Sequence, residues 1–93
     1  MIRSFGDRRT AALFDGRHVP GLPRDIRMRA YRKLRLVDAA ATLDFLRVPP
    51  GNRLEKLSGS RAGQHSIRIN EQWRVCFVWR DGHARDVEVV DYH

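Results

Sequence analysis

Gln64-His65-Ser66-Ile67-Arg68-Ile69-Asn70, a short turn at Asn70-Glu71-Gln72, Trp73-Arg74-Val75-Cys76-Phe77-Val78-Trp79-Arg80, and then Asp81-Gly82 form the stretch whose pattern decides the fold. In the first segment Ile67 and Ile69 fall on one face and Ser66 and Arg68 on the other. In the second, Trp73, Val75, Phe77 and Trp79 line one side. Period-two alternation marks half-buried strands, and Asp-Gly between two such runs is a strong hairpin signal. Ala84 to Val90 supplies the next strand, before Asp91-Tyr92-His93. On the other flank, Arg53-Leu54-Glu55-Lys56-Leu57 reads as a strand joined to Gln64 by the loop 58–63. An antiparallel meander is expected over the second half of the chain.

Upstream of Pro49-Pro50-Gly51-Asn52 the periodicity changes from two to that of a helix. Ile26, Ala30, Leu34, Val37 and Ala41 recur at spacings of four, four, three and four, a consistent buried stripe. Pro23 is expected in the first turn of this helix, where its missing N–H is not needed. A shorter helix, capped by Asp7 and ended by Gly16, carries Ala11, Leu13 and Phe14. Ile2-Arg3-Ser4-Phe5 alternates and suits a short N-terminal strand. The expected class is α+β: two N-terminal helices on one face of a small twisted sheet.

No repeat, low-complexity segment or linker divides the chain. Its 93 residues suit one domain spanning 1–93, which would bury roughly 60–68% of its unfolded surface. With a hydrophobic fraction of 42% the composition is not that of a disordered polycation. There is no apolar run of 18 residues, so no membrane helix is expected. Charged Asp7-Arg8-Arg9 follows Phe5 where a signal peptide would need an apolar stretch, which argues against secretion and for the cytoplasm. The single cysteine, Cys76, can make no internal disulfide; mid-strand, it reads as a small core hydrophobe. His18, His65, His83 and His93 are dispersed, Gly-rich phosphate loops and zinc motifs are absent, and no metal or cofactor is expected.

The charge is more telling. Lys+Arg outnumber Asp+Glu by 18 to 11, for a net charge of +7, and 16 of the basic residues are arginine. Arginine grips phosphate through a planar fork, whereas lysine is a hydrated point charge. A polyanionic partner fits this usage, with nucleic acid the most natural one. Genomic base composition and surface solvation fit it too. Arg24, Arg29, Arg32 and Arg35 occupy the arc of the long helix opposite its apolar stripe, which suits either a phosphate footprint or an ordinary solvated face. His65 reads as a structural histidine.

The constellation with chemical content comes from neighbouring strands: Glu55, Lys56 and Arg61, then Arg68, Arg74 and Arg80, then Asp91-Tyr92-His93. Brought together, these groups supply what RNA cleavage needs without a metal. A base takes the 2′-hydroxyl proton, a guanidinium neutralises the phosphorane and an acid protonates the leaving 5′-oxygen.

Met1-Ile2-Arg3-Ser4-Phe5, the spacing Arg53-Leu54-Glu55-x-Leu57-x-Gly59, the run Gly63 to Asn70 followed by x-x-Trp73-Arg74-Val75, and the ending Val90-Asp91-Tyr92-His93 together resemble the HigB toxins of the RelE superfamily. The resemblance runs end to end. It implies a RelE-like fold and a ribosome-dependent mRNA endonuclease held inactive by a HigA-like helix-turn-helix antitoxin. Operator DNA would be met only through the antitoxin complex, and no membrane is involved. It also implies Glu55 as general base, Arg74 as the cation on the transition state and His93 as general acid. Tyr92 would stack or hydrogen bond near the scissile phosphate, and Asp91 would orient the cluster. Arg53, Lys56, Arg61, Arg68 and Arg80 are the expected RNA contacts. His93 closes the sequence, so its own α-carboxylate would favour the imidazolium.

Two positions depart from the family pattern, which has His and Lys where this chain has Glu55 and Ser58. Glutamate serves as base in related RelE-type toxins such as YoeB. Ser58 carries no charge, so Lys56 or Arg61 would compensate. The alternative reading within the same superfamily is a non-enzymatic inhibitor, similar to the ParE toxins that dock on DNA gyrase, or a nucleic-acid-binding component.

Overall fold

The computed structural model describes residues 1–92 and places them in two α-helices and one four-stranded sheet. Helix α1 spans Arg8–Phe14 and α2 spans Arg24–Ala39. The strands are β1 (Glu55–Lys56), β2 (His65–Arg68), β3 (Trp73–Arg80) and β4 (His83–Asp91). They pair antiparallel in the order β1-β2-β3-β4, which is the meander expected. Among the described residues no helix is long and apolar enough to cross a membrane.

Local chemistry explains both helix starts. The Asp7 carboxylate accepts the Thr10 backbone N–H at 2.7 Å and caps α1. Pro23 is the residue before α2 rather than part of its first turn, and its carbonyl accepts the Arg27 N–H at 3.0 Å. Ile26, Ala30, Leu34 and Val37 are buried as the spacing predicted. Ala41 departs from the stripe. The helix stops at Ala39, the chain turns extended at Ala40, and Ala40 is buried while Ala41 faces solvent.

The α2 stripe meets Ile67, Val75, Phe77, Val87 and Val89 from the sheet, with Leu46 closing one end. Asp81 and Gly82 both take positive φ (54° and 78°), the geometry of a two-residue hairpin turn that Asp-Gly tolerates. Strand β3 keeps strict alternation, but β4 does not. Its register slips between the pairs Cys76↔Glu88 and Val78↔Arg85, with Asp86 at φ 52°. This bulge absorbs one residue, so Ala84, Val87 and Val89 all reach the core despite their odd spacing.

The edges of the sheet are managed differently at its two ends. The N-terminal segment is not a full strand: Ile2 and Phe5 make isolated parallel bridges to Ala84 and Val87. Further along β4, Thr10 Oγ1 accepts the Val89 N–H at 2.9 Å, and Arg9 donates to the Val89 carbonyl at 3.0 Å. The β4 edge is thus covered along its length. The other edge, β1, is short and charged, which discourages edge-to-edge pairing. β1 is also shorter than the Arg53–Leu57 strand expected. Pro50–Asn52 forms a 3-10 turn, and Arg53 follows in the left-handed region at φ 45°, which breaks the extended run.

Candidate active site

The helices cover one face of the sheet; the other carries the polar residues. Cross-strand register puts Glu55, Ser66, Cys76 and Glu88 in one row, with Arg68, Arg74 and Val90 in the next. Two groups fix Arg74, which is only 9% exposed, and a carboxylate stands beside it. Its Nε donates to Ser66 Oγ at 2.7 Å, and its Nη2 donates to the Arg53 carbonyl at 2.7 Å. Glu55 Oε1 lies 3.9 Å from the same Nη2. The left-handed turn at Arg53 therefore has a use, since it presents a carbonyl to the guanidinium. Neither hydrogen bond occupies Nη1.

A cavity of about 310 Å³ opens at this point, lined by Arg53, Glu55, Arg68, Asn70, Glu71, Arg74 and Tyr92. Arg68 stands directly opposite Arg74 in the β2–β3 register. Like charges at that distance are unfavourable by themselves, so the pair is suited to an anion between them. Asn70 holds the turn below: its side-chain oxygen accepts the backbone N–H groups of Gln72 and Trp73 at 2.8 and 2.7 Å. Tyr92 lines the cavity; its backbone N–H donates to the Gln72 carbonyl at 2.6 Å, and the residue stays 39% exposed.

The structure thus gathers Arg53, Glu55, Arg68, Arg74 and Tyr92 at one place. Other expected site residues lie elsewhere. Asp91 pairs with Trp73, on the face opposite Arg74, and its carboxylate accepts from the Gln72 amide at 3.0 Å. Arg80 ends β3 beside the hairpin turn, paired with His83; six residues from Arg74, it is about 20 Å along the strand. Arg61 lies on the site face, but Glu88 at 2.8 Å and Gln64 at 3.0 Å occupy it. The Glu88 hydrogen bond holds its guanidinium above the ordinary value. Lys56 pairs with His65 on the other side of the strand from Glu55. His93 lies outside the described residues. Neither candidate for the charge missing at Ser58 lines the cavity, where Arg53 and Arg68 are the cations besides Arg74.

Ser66 and Asn70 have positions that alternation and turn chemistry made visible; the partners of Asn70 are local, two and three residues on, whereas that of Ser66 is set by the cross-strand register. Cys76 is buried in the site face rather than the helix-facing core, between Ser66 and Glu88, and burial pushes its thiol up.

His65 is on the opposite face, stacked on Phe77 with ring centroids 6.4 Å apart. Burial, then Lys56 and Arg47, pull its imidazole below the ordinary 6.5. The unfolded chain therefore binds the proton more readily than the fold does. Its stabilising contribution is intact above 6.5 and is lost as pH falls through the lowered value. Thermal melts should show Tm falling on acidification below pH 6.5, with a shallower slope in His65→Gln. His83, lowered in the same direction by desolvation and by Arg3, keeps part of the slope. An unchanged slope in the variant would contradict this.

The fold is RelE-like. The Staphylococcus aureus YoeB–YefM complex contains a chain that superposes with a TM-score of 0.60 at 17% identity, covering 100% of this chain and 98% of that one. YafQ from E. coli strain BL21(DE3) superposes at 0.58 and 15% identity, over 91% of this chain and 87% of that one.

A family model described as the RelE-like toxin of type II toxin-antitoxin system HigB matches residues 3–93, and the chain belongs to that family. Toxin HigB-1 of Vibrio cholerae serotype O1 is 48% identical over 63 residues, 68% of this chain and 66% of that one, so the aligned part spans just under two thirds of that relative. Endoribonuclease HigB of Proteus vulgaris is 31% identical over 97 residues, 100% of both chains.

Proposed function

We propose that this toxin is a ribosome-dependent mRNA endonuclease acting at the cavity around Arg74. The observation that carries the reading is the immobilised Arg74 guanidinium, with one nitrogen unused and a carboxylate 3.9 Å away. Glu55 takes the proton from a ribose 2′-hydroxyl, and the oxygen attacks the adjacent phosphorus. Arg74, with Arg68 opposite, neutralises the charge that grows on the phosphorane. The bond to the 5′-oxygen breaks, leaving a 2′,3′-cyclic phosphate and a 5′-hydroxyl. His93, next to Tyr92 in sequence, is assigned the proton delivered to that oxygen. Tyr92 stacks on a base, and Arg53 holds a flanking phosphate. Asp91, through Gln72, fixes the path of the segment that carries Tyr92.

The remaining features follow from the same reading. The relative from Proteus vulgaris is named an endoribonuclease, and the Staphylococcus aureus neighbour is bound to YefM. This toxin is correspondingly neutralised in the cytoplasm by a HigA-like antitoxin, through which alone it meets operator DNA. Arg24, Arg32 and Arg35, exposed on α2, bring it to ribosomal RNA, with strong salt dependence.

Purified protein mixed with programmed ribosomes is expected to give a new mRNA end in primer extension and a cyclic phosphate on the upstream fragment. Ribosome binding without any new end would overturn the nuclease reading and favour a non-enzymatic inhibitor.

A further inference from the structure

A second cavity, of about 590 Å³, adjoins the first and shares Arg68, Asn70 and Glu71 with it as a common wall. Its far side is α2, which contributes Arg29 and Lys33. Lys33 is built into the fold. Its Nζ donates to Asn52 Oδ1, Asn52 is fully buried, and the Asn52 amide donates in turn to the Leu46 carbonyl at 3.2 Å. A neutral amide can aim the ammonium but cannot balance its charge. Arg29 lies one turn earlier on the helix, and like charges at that spacing repel. Burial first, and Arg29 second, lower the Lys33 pKa, as they would in a site poised for an anion. Glu71 is exposed on the shared wall, so three cations face one carboxylate.

We infer that Lys33, Arg29 and Arg68 form a second phosphate subsite, which holds the same RNA strand one or two nucleotides from the phosphate at Arg74. The inference rests on the nuclease reading for the identity of the strand. Arg68 belongs to both cavities, so a backbone leaving Arg74 passes it before reaching Lys33. Asn52 is a positioning residue that keeps the ammonium pointed across the gap. The subsite would fix which bond of a bound strand lies against Glu55, because two held phosphates set the register of the chain between them.

Binding of short RNA separates the possibilities. The probes are a fluorescein-labelled, fully 2′-O-methylated tetranucleotide with three phosphates, which cannot be cut, and the matching dinucleotide with one. Lys33→Met should weaken tetranucleotide binding by about tenfold, as expected for one charge-assisted hydrogen bond, and leave the dinucleotide within about twofold. The slope of log K against log salt should fall by about 0.7 for the tetranucleotide. Lys33→Arg, which keeps the charge, should restore most of the affinity, and equal melting temperatures would show that the variants fold.

Equal weakening of both probes, no weakening of either, or no binding of the tetranucleotide by the unaltered protein would overturn the subsite. So would a Lys33→Met variant that loses ribosome affinity alone, which would assign the charge to ribosomal RNA. The nuclease reading is judged separately, by cutting on programmed ribosomes. A protein that binds the tetranucleotide through Lys33 but never cuts would defeat that reading and leave the subsite standing.

Discussion

Arg74→Ala should lower the single-turnover rate of mRNA cutting by roughly 10²–10³-fold, the loss typical of one charged or polar donor aimed at a developing oxyanion. Three facts make the effect large. The guanidinium is almost fully withdrawn from water, so its field on a nearby phosphate is weakly screened. It is held by Ser66 and the Arg53 carbonyl before any RNA arrives, so little reorganisation is needed during the reaction. It also lies beside Glu55, where attack would begin. Arg74→Lys keeps the charge, but its single nitrogen cannot stand at the separate positions from which Nε reaches Ser66, Nη2 reaches Arg53 and Nη1 faces the phosphate, so it should recover little of the rate. Ser66→Ala tests placement alone. It leaves Nε buried without its partner and should reduce cutting while binding of uncleavable RNA holds. Full activity in Arg74→Ala would remove this residue from the mechanism.

Glu55→Gln should lower cutting by about 10²–10⁴-fold, the usual contribution of a positioned general base. Glutamine keeps the shape and can still accept a hydrogen bond from the 2′-hydroxyl, but it cannot take the proton. Stability should hardly change. The carboxylate is half exposed and 3.9 Å from Arg74, and exposed pairs of this kind contribute little. Single-turnover rates and melting curves measured together separate the two effects. A variant that cuts normally would show that the base lies elsewhere. One that melts much earlier would make Glu55 an anchor for Arg74 instead.

The helix–strand division, the Asp-Gly hairpin and the α2 stripe were legible because each depends on residues close in sequence. Periodicity of 3.6 or 2 is written in neighbours, and the backbone follows it. Ala41 and the Arg53–Leu57 strand depart from the pattern because single residues end each element: an extended one at Ala40 and a left-handed one at Arg53. The β4 bulge was invisible for a different reason. Alternation within Ala84 to Val90 is ambiguous, and only the fit of Val87 and Val89 against α2 and β3 selects the slipped register.

The site was legible as a set of residue types and as a family likeness, but not as a membership. Glu55, Arg68 and Arg74 meet because three strands pair in one register; a shift of one residue would turn Arg74 toward the helices. That same register sends Asp91 to the other face and leaves Arg80 at the far end of its strand. It also gives Arg61 to Glu88.

By itself the sequence determined the α+β class, the family and a net charge of +7, because composition, short-range periodicity and matching motifs require no knowledge of distant contacts. Which arginine is fixed against which carboxylate was decided only by tertiary structure. Arg53 and Arg74 are far apart along the chain, as are Lys33 and Asn52, and each pair comes together only when the sheet and α2 pack into one core.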